Sequence, residues 1–288
     1  MTGTVTLPPH FVEPMNLFYY QWPPKTVKNG GDRPDQISSI LSAGETKGLS
    51  TRLRLASTSR RGGVSEPPFD SLNLGRHVDD DPRAVEENRQ RLSETCGHDL
   101  RFAWLSQVHG TRCVDAAEVV DGDRIVEADA SFTTEPGVAC VVMTADCLPV
   151  VLFDRRGSVV AAAHAGWRGL VDGVLESTVD AMGCDPSQLV AWMGPAIGPE
   201  KFEVGPEVRE QFLDADPGAE RCFAPSPFNP DDRLVADLYE LARRRLRRRG
   251  VPAIAGGGAC TFSDDARFFS YRRDGKTGRM ATLCWLAC

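Results

Sequence analysis

The chain reads VACVVM at residues 138–143, PVVLF at 149–153 and SVVAAA at 158–163. Each stretch is a short and continuous apolar run, which is typical of strands that are buried on both faces of a sheet. Because the three runs follow one another closely, they predict neighbouring strands at the centre of the fold.

The same kinds of pattern predict further elements on both sides of this centre. Alternating residues at 53–57 predict a half-buried strand. A helix is predicted from Pro82 to Thr95, because Asp81 suits the N-cap, Pro82 suits the first turn and Gly97 follows the end. Strands are also predicted at 102–108, 112–116 and 189–193, and helices at 170–182, 206–213 and 232–249.

Composition divides the chain into an arm and one domain. Residues 1–49 are rich in proline and glycine and carry little apolar sequence beyond one aromatic patch at 17–22, which predicts a weakly ordered N-terminal arm. A docking role for that patch is the alternative. Residues 50–288 form the predicted domain, since a chain of 288 residues with 41% hydrophobic content can bury one large core.

Charge and cysteine content restrict the classes of partner and the compartment. The net charge of −7 gives no attraction to nucleic acid or to an anionic membrane surface, so the predicted partners are small molecules. The arginine run at 243–249 is interpreted as the solvated end of a helix. Nine scattered cysteines show no disulfide framework and predict a reducing compartment. Since no apolar stretch is long enough to span a membrane, a cytoplasmic protein is predicted, and its expected state is a monomer or a homodimer.

Three side chains that can bind metal stand where an apolar run meets a turn. They are His109, Cys147 and His164, in a chain with five histidines; His109 directly precedes Gly110, and His164 stands two residues before Gly166. A lone histidine or cysteine near a strand is usually a packed core residue, and the spacing here matches no compact metal motif. If the fold assembles them, two imidazoles and one thiolate form a zinc site with an open fourth position, which is the arrangement of a catalytic site.

Five motifs resemble those of the laccase-domain family, also called the multicopper polyphenol oxidase family. They are SLNLG at 71–75, SQVHG at 106–110, TADC at 144–147, AHAGWRG at 163–169 and FFSYRRDG at 268–275. The resemblance covers about residues 52 to 286 and leaves the N-terminal arm outside. It implies a single α/β domain with a mixed β-sheet and flanking helices, distantly similar to the catalytic domain of cytotoxic necrotizing factor.

The resemblance also implies an activity. Members are described as purine nucleoside phosphorylases with adenosine deaminase and methylthioadenosine phosphorylase activities, acting on adenosine, inosine, guanosine and methylthioadenosine. The implied partners are therefore purine nucleosides and phosphate, and the family's metal ligands correspond to His109, Cys147 and His164. A mixed thiolate and imidazole set suits Zn²⁺ and also accepts copper.

Candidate roles follow for other residues in the motif segments. Asp146 could move a proton beside the ligand Cys147 during deamination, or be an ordinary strand-end carboxylate bound to backbone. Guanidinium groups bind phosphate well, which makes Arg168 a candidate catalytic residue and Arg60 and Arg272 candidate substrate ligands. Asn73 could bind purine or ribose, or simply form a turn.

Three other functions stay open from the sequence. Cys147 and His164 could be the nucleophile and base of a hydrolase or amidase, in line with the family's link to peptidoglycan editing. A copper-dependent polyphenol oxidase is the second, although the sequence contains no His-x-His pair for a copper cluster. The third is a module that binds metal or nucleoside without catalysis.

Overall fold

The computed structural model describes residues 17–21, 52–122 and 125–287. Of the predicted arm, residues 17–21 are described as an edge strand, and the remainder of residues 1–49 lies outside the described part. The helices are α1 (Pro82–Cys96), α2 (Ala116–Val120), α3 (Trp167–Asp172), α4 (Val174–Ala181), α5 (Pro206–Ala215), α6 (Leu238–Arg248) and α7 (Tyr271–Asp274), with 3-10 turns at Pro186–Gln188 and Pro217–Cys222.

The strands form two large sheets and two small ones. The first eight are β1 (Leu17–Gln21), β2 (Leu53–Thr58), β3 (Arg101–Ala103), β4 (Leu105–Ser106), β5 (Cys113–Asp115), β6 (Val126–Glu127), β7 (Ala130–Thr133) and β8 (Val138–Thr144). The others are β9 (Leu148–Asp154), β10 (Val160–Ala165), β11 (Leu189–Met193), β12 (Glu203–Val204), β13 (Phe223–Pro225), β14 (Leu234–Ala236), β15 (Ala253–Gly256) and β16 (Met280–Leu286).

The two large sheets pack face to face. One has the strand order β1-β2-β16-β8-β3 and the other the order β15-β11-β9-β10-β7-β5. A shared apolar core joins their facing sides, with Val142 and Cys284 from the first sheet and Val151, Val160 and Trp192 from the second. Both sheets mix parallel and antiparallel pairs, for example β3 parallel to β8 and β16 antiparallel to β8.

Helices cover the outer faces of both sheets. Leu92 of α1 packs on the first sheet together with Leu72 and Leu74. The second sheet is covered by apolar side chains of α4, α5 and α6, including Leu175, Phe212 and Leu241. The chain is therefore a mixed α/β domain in four layers, helix, sheet, sheet and helix, which is why the three central apolar runs are buried throughout. Among the described residues, no helix combines the length and the apolar character that crossing a bilayer requires.

Several predicted elements are confirmed. Strand β11 has the predicted bounds, and α1 begins after Asp81, whose carboxylate accepts a hydrogen bond of 2.9 Å from the amide of Arg83. The predicted strand at 53–57 is β2, and the helix at 206–213 is the first part of α5.

Four predicted elements were wrong in their bounds. The helix at 170–182 is two helices, because Gly173 has φ +104° and interrupts the turn. The helix at 232–249 begins six residues later, at Leu238, since Leu234–Ala236 pairs as a strand with β12 and β13. The strand at 112–116 ends at Asp115, which caps α2, and the strand at 102–108 is divided into β3 and β4.

Candidate metal centre

The structure brings the three predicted ligands together. Cys147 lies in the turn between β8 and β9, where the chain crosses from one large sheet to the other. His164 is the penultimate residue of β10, so the strand extends beyond its predicted end at Ala163, and His109 lies in the loop after β4. The three donor atoms lie within 4.8 Å of one another, and Cys147 Sγ is 3.7 Å from His109 Nε2.

Asp129 holds two of these ligands in place. Its carboxylate accepts hydrogen bonds from the amides of Val108 (3.1 Å), His109 (2.9 Å) and Gly110 (2.7 Å), which fixes the loop that carries His109. It also accepts a bond of 2.8 Å from His164 Nδ1. The other ring nitrogen of His164 is then the one that faces a metal, as in sites where a carboxylate orients a ligating histidine.

Sequence reasoning missed Asp129. The residue stands immediately before β7, and the register of β7 with β10 places Ala130 opposite Ala163, which brings Asp129 beside His164. The signal that could have identified it is an acidic residue between two alanines, Ala128 and Ala130, which the structure shows to be fully buried. A buried carboxylate of this kind requires partners, and here they are the loop amides and the imidazole.

The charges at the cluster favour a thiolate. Burial by itself raises the pKa of Cys147, but the charge on His164 and hydrogen bonds from both histidines outweigh burial and lower that pKa. Burial lowers the pKa of His164, whereas the Cys147 thiolate and the Asp129 carboxylate raise it by more. Asp129 likewise has a lowered pKa, because its bond to His164 and to the loop amides exceeds the effect of burial.

Two residues of the cluster have unusual backbone conformations. His109 has φ +62° and Asp146 has φ +98°, a region that residues other than glycine seldom adopt. The conformation of Asp146 is supported by its side chain, which accepts hydrogen bonds from Thr261 Oγ1 (2.6 Å), Ser270 Oγ (3.0 Å) and the amide of Arg272 (2.7 Å). Cys147 therefore follows a strained residue that three donors hold in place.

The donor set and its geometry fit a metal ion. One thiolate and two imidazoles form the kind of set that binds Zn²⁺. The donor atoms lie within 4.8 Å of one another, so small side-chain movements would bring all three to one ion at bonds of about 2.0 to 2.3 Å. His109 is exposed, while His164 is buried, so the cluster is open on one side. Three protein ligands with an open side correspond to a catalytic rather than a structural metal site.

Gly166 leaves the space that His109 and Cys147 occupy. A Cβ atom at this position would lie 2.8 Å from His109 Cδ2 and 3.1 Å from Cys147 Sγ. We expect Gly166→Ala to displace the His109 ring and lower the affinity for metal by about 10-fold or more. Metal content after dialysis measures this. The control is Gly110→Ala, whose added Cβ would make an ordinary contact of 3.5 Å with Asp129; equal metal loss in both variants would contradict the prediction.

The structure gives three of the other candidate residues protein partners of their own. Arg60 donates to the carbonyl oxygen of Asp70 (2.9 Å) and pairs with its carboxylate (3.3 Å). Arg272 donates to the carbonyl oxygen of Glu203 at 2.8 Å. The buried amide of Asn73 bonds Gly75, Asp80 and the amide of Arg279, so a contact with substrate would require one of these bonds to break. Arg168 is exposed, and its guanidinium stacks on Trp167.

Arg279 and Tyr271 are near the cluster although the sequence interpretation did not select them. The charges of Cys147 and Asp146 reach Arg279, and its guanidinium carbon lies 5.9 Å from the centre of the Tyr271 ring. Tyr271 is 62% exposed and directly precedes Arg272, whose amide is bonded to Asp146. The motif at 268–275 therefore places an exposed aromatic ring at the edge of the metal centre.

A separate cavity of about 410 Å³ is lined by residues 198–201, residues 257–260 and part of α6. Its wall includes Lys201, Arg243 and Cys260, and none of the three ligands lines it. Cys260 directly precedes Thr261, which donates to the Asp146 carboxylate. One lining residue of the cavity is therefore the chain neighbour of a residue that holds Asp146 in place.

Comparison with known proteins identifies the relatives of the chain. The family model described as multi-copper polyphenol oxidoreductase laccase matches residues 54–287. A purine nucleoside phosphorylase of Pseudomonas aeruginosa is 59% identical over 235 residues, which are 82% of this chain and 94% of the relative. One from Escherichia coli is 50% identical over 230 residues, covering 80% of this chain and 92% of the relative.

Solved structures have the same fold. A Neisseria meningitidis protein is 46% identical with a TM-score of 0.80, covering 86% of this chain and 99% of that chain. YlmD from Geobacillus stearothermophilus is 31% identical with a TM-score of 0.75, covering 85% of this chain and 95% of that chain. The region that the family model matches includes all three clustered ligands.

Proposed function

This chain belongs to the multi-copper polyphenol oxidoreductase laccase family, and from that premise we propose that it is a zinc-dependent purine nucleoside phosphorylase. The observation that carries the proposal is the open cluster of His109, Cys147 and His164 in a chain whose curated relatives are named purine nucleoside phosphorylases. The proposed substrates are phosphate with adenosine, inosine, guanosine or methylthioadenosine.

Zinc is the proposed ion because of the ligand chemistry. A borderline-soft ion suits one thiolate with two imidazoles, although copper accepts the same set. When bound, zinc would supply Lewis acidity and lower the pKa of a coordinated water. The chain's own contribution is to orient the ligands, since Asp129 fixes the tautomer of His164 and the loop of His109.

Phosphorolysis joins a phosphate oxygen to C1′ of the ribose while the bond from C1′ to the purine nitrogen breaks, and the purine takes up a proton. Arg168 is proposed to contribute positive charge for the phosphate, because it is exposed and stands two residues after Gly166 at the cluster. Arg60 and Arg272 remain proposed substrate contacts from the edge of the site, as does Asn73.

Adenosine deamination is the second proposed activity. It adds water at C6 of the purine and releases ammonia, so it requires a group that moves a proton. Asp146 is the proposed group, beside Cys147, and it would have to exchange one of its three hydrogen bonds to reach a substrate.

A Cys-His hydrolase or amidase is the alternative, and a specific observation favours it. The Cys147 thiol has a lowered pKa, and Asp129 orients His164 as an acid orients the base of a catalytic triad. The similarity of the fold to the catalytic domain of cytotoxic necrotizing factor, which would also favour a hydrolase, stays a prediction. The two functions exclude each other at Cys147, because a thiolate that binds a metal cannot attack an acyl carbon.

Copper-dependent oxidation of polyphenols is a weaker proposal despite the name of the family. A multicopper centre needs many histidines, and the chain has five, with no His-x-His pair. Among the residues that the structure describes, the one group of side chains suited to a metal ion consists of His109, Cys147 and His164. A single bound copper would support at most a side activity.

Chelation tests the proposal. We expect metal-free protein to be inactive on adenosine and to recover with stoichiometric Zn²⁺, because the proposed reaction depends on the Lewis acidity that the bound ion would supply. Products are identified by chromatography: free adenine and ribose 1-phosphate that form only with phosphate, and inosine that forms without it. Full activity in metal-free protein, together with rapid inactivation by thiol alkylators, would favour the cysteine hydrolase instead.

A further inference from the structure

The backbone and stem of Arg279 are fixed by the motif at residues 71–75. Its amide donates to Asn73 Oδ1 at 2.8 Å, and the amide of Gly75 donates to the same oxygen at 2.9 Å. A Cβ atom at Gly75 would lie 2.8 Å from Arg279 Cγ, so the space beside this glycine is occupied by the arginine stem. Asn73 and Gly75 thus form a support for Arg279.

The guanidinium of Arg279 has no carboxylate partner among the residues that the structure describes. The hydrogen bonds it makes there run from Nη1 to the carbonyl oxygens of Thr277 (2.9 Å) and Gly278 (3.1 Å). By contrast, Arg60, Arg244 and Arg245 each pair with a carboxylate. A partly buried guanidinium with unpaired donors is suited to an anion that arrives from outside.

The surroundings of Arg279 place that charge beside the metal centre. Strand β16 begins at Met280, which pairs with Thr144 at the end of β8, so Arg279 stands beside the turn that carries Asp146 and Cys147. In agreement with this position, burial lowers the pKa of Arg279 and the negative charges of Cys147 and Asp146 oppose that effect. Arg279 therefore lies between the ligand cluster and the exposed Tyr271 ring.

We propose that Arg279 binds the phosphate that attacks the nucleoside. This proposal rests on the proposed phosphorylase function. A planar guanidinium offers paired N–H donors to two phosphate oxygens, and partial burial strengthens this bond relative to one in water. Arg279 fits this role better than Arg60, whose Nε, Nη1 and Nη2 are all bound to oxygens of Asp70 and Asp265. It fits better than Arg272 because Arg272 is exposed, and an exposed guanidinium binds an anion more weakly than a partly buried one. Phosphate held here faces a nucleoside between Tyr271 and the metal ligands.

The test compares Arg279→Gln and Arg279→Lys with the wild-type holoenzyme. We expect Arg279→Gln to raise the KM for phosphate about 10- to 100-fold, because it removes hydrogen bonds to a charged group, with the KM for adenosine and the zinc content within about twofold of wild type. Arg279→Lys should have a KM for phosphate between those of the wild type and Arg279→Gln, since lysine keeps the charge and loses the paired donors. Arg243→Gln is the control, a partly buried arginine that donates to a carbonyl oxygen and lines the separate cavity.

A calorimetric titration with inorganic phosphate alone measures the Kd for phosphate without any turnover. We expect the Kd for phosphate to rise by the same factor in Arg279→Gln and to stay unchanged in Arg243→Gln. An unchanged Kd and KM for phosphate in folded, zinc-loaded Arg279→Gln would overturn the proposal, and so would loss of zinc that accounts for the whole effect. If wild-type protein released no purine base with phosphate, the phosphorylase function would fail, and the titration would still decide whether Arg279 binds phosphate.

Discussion

Cys147→Ser is expected to abolish both zinc binding and purine nucleoside turnover. A hydroxyl is a far poorer ligand than a thiolate, and His109 and His164 would hold the ion by two imidazoles alone. The zinc Kd should rise about 100-fold or more, because each ligand of a three-coordinate site carries a large share of the binding free energy. Metal titration with a colorimetric chelator and an adenosine assay measure the two effects on the same sample.

Cys184→Ser is the matched control for this substitution. Cys184 is partly buried in the turn between α4 and β11, outside the ligand cluster. The Cys184→Ser variant should bind zinc and turn over adenosine as the wild type does. Full zinc occupancy in Cys147→Ser would contradict the assignment of Cys147 as a ligand, and loss of activity with full zinc occupancy would indicate a nucleophilic cysteine.

Asp129→Asn is expected to weaken both the metal centre and the fold. The carboxylate is fully buried and accepts three amide hydrogen bonds and one from His164. An asparagine must direct two N–H donors toward these donors, so some of the bonds are lost. We expect a 10- to 100-fold rise in the zinc Kd and a fall of about 3 kcal/mol in the free energy of unfolding.

Asp154→Asn separates these two effects. Asp154 is also a buried carboxylate, and it accepts hydrogen bonds from the amides of Arg156, Ser158 and Val159 in the turn after β9. The Asp154→Asn substitution should lower the free energy of unfolding by a similar amount without changing the zinc Kd. Denaturant unfolding and zinc titration of both variants provide the measurements. An Asp129→Asn protein that binds zinc as tightly as wild type would show that Asp129 supports the loop and not the ligand.

The sequence predicted those elements whose signals are local. Asp81, Pro82 and Gly97 define the ends of α1 within one stretch of chain, and the continuous apolar runs correspond to β8, β9 and β10 because burial on both faces leaves no polar position. The sequence did not predict β16, which lies between β2 and β8 in the first sheet. Its place depends on pairing with strands that are far away along the chain, which no local pattern records.

The ligands of the metal centre were identifiable from the sequence for a related reason. His109, Cys147 and His164 each stand in a distinctive motif, and two imidazoles and a thiolate have few other common uses together. Their convergence was decided by the tertiary structure, because Cys147 occupies the crossing between the two sheets and His164 reaches it from the end of β10.

The residues that support and surround the ligands were decided by the tertiary structure alone. Neither Asp129 nor Arg279 stands in a sequence pattern that indicates its role. Strand register places Asp129 beside His164, and the space beside Gly75 holds the stem of Arg279. The sequence by itself determined which atoms can bind a metal, since that depends on side-chain type. The fold determined which charges face those atoms, since a buried charge takes its partners from segments that are distant in the chain.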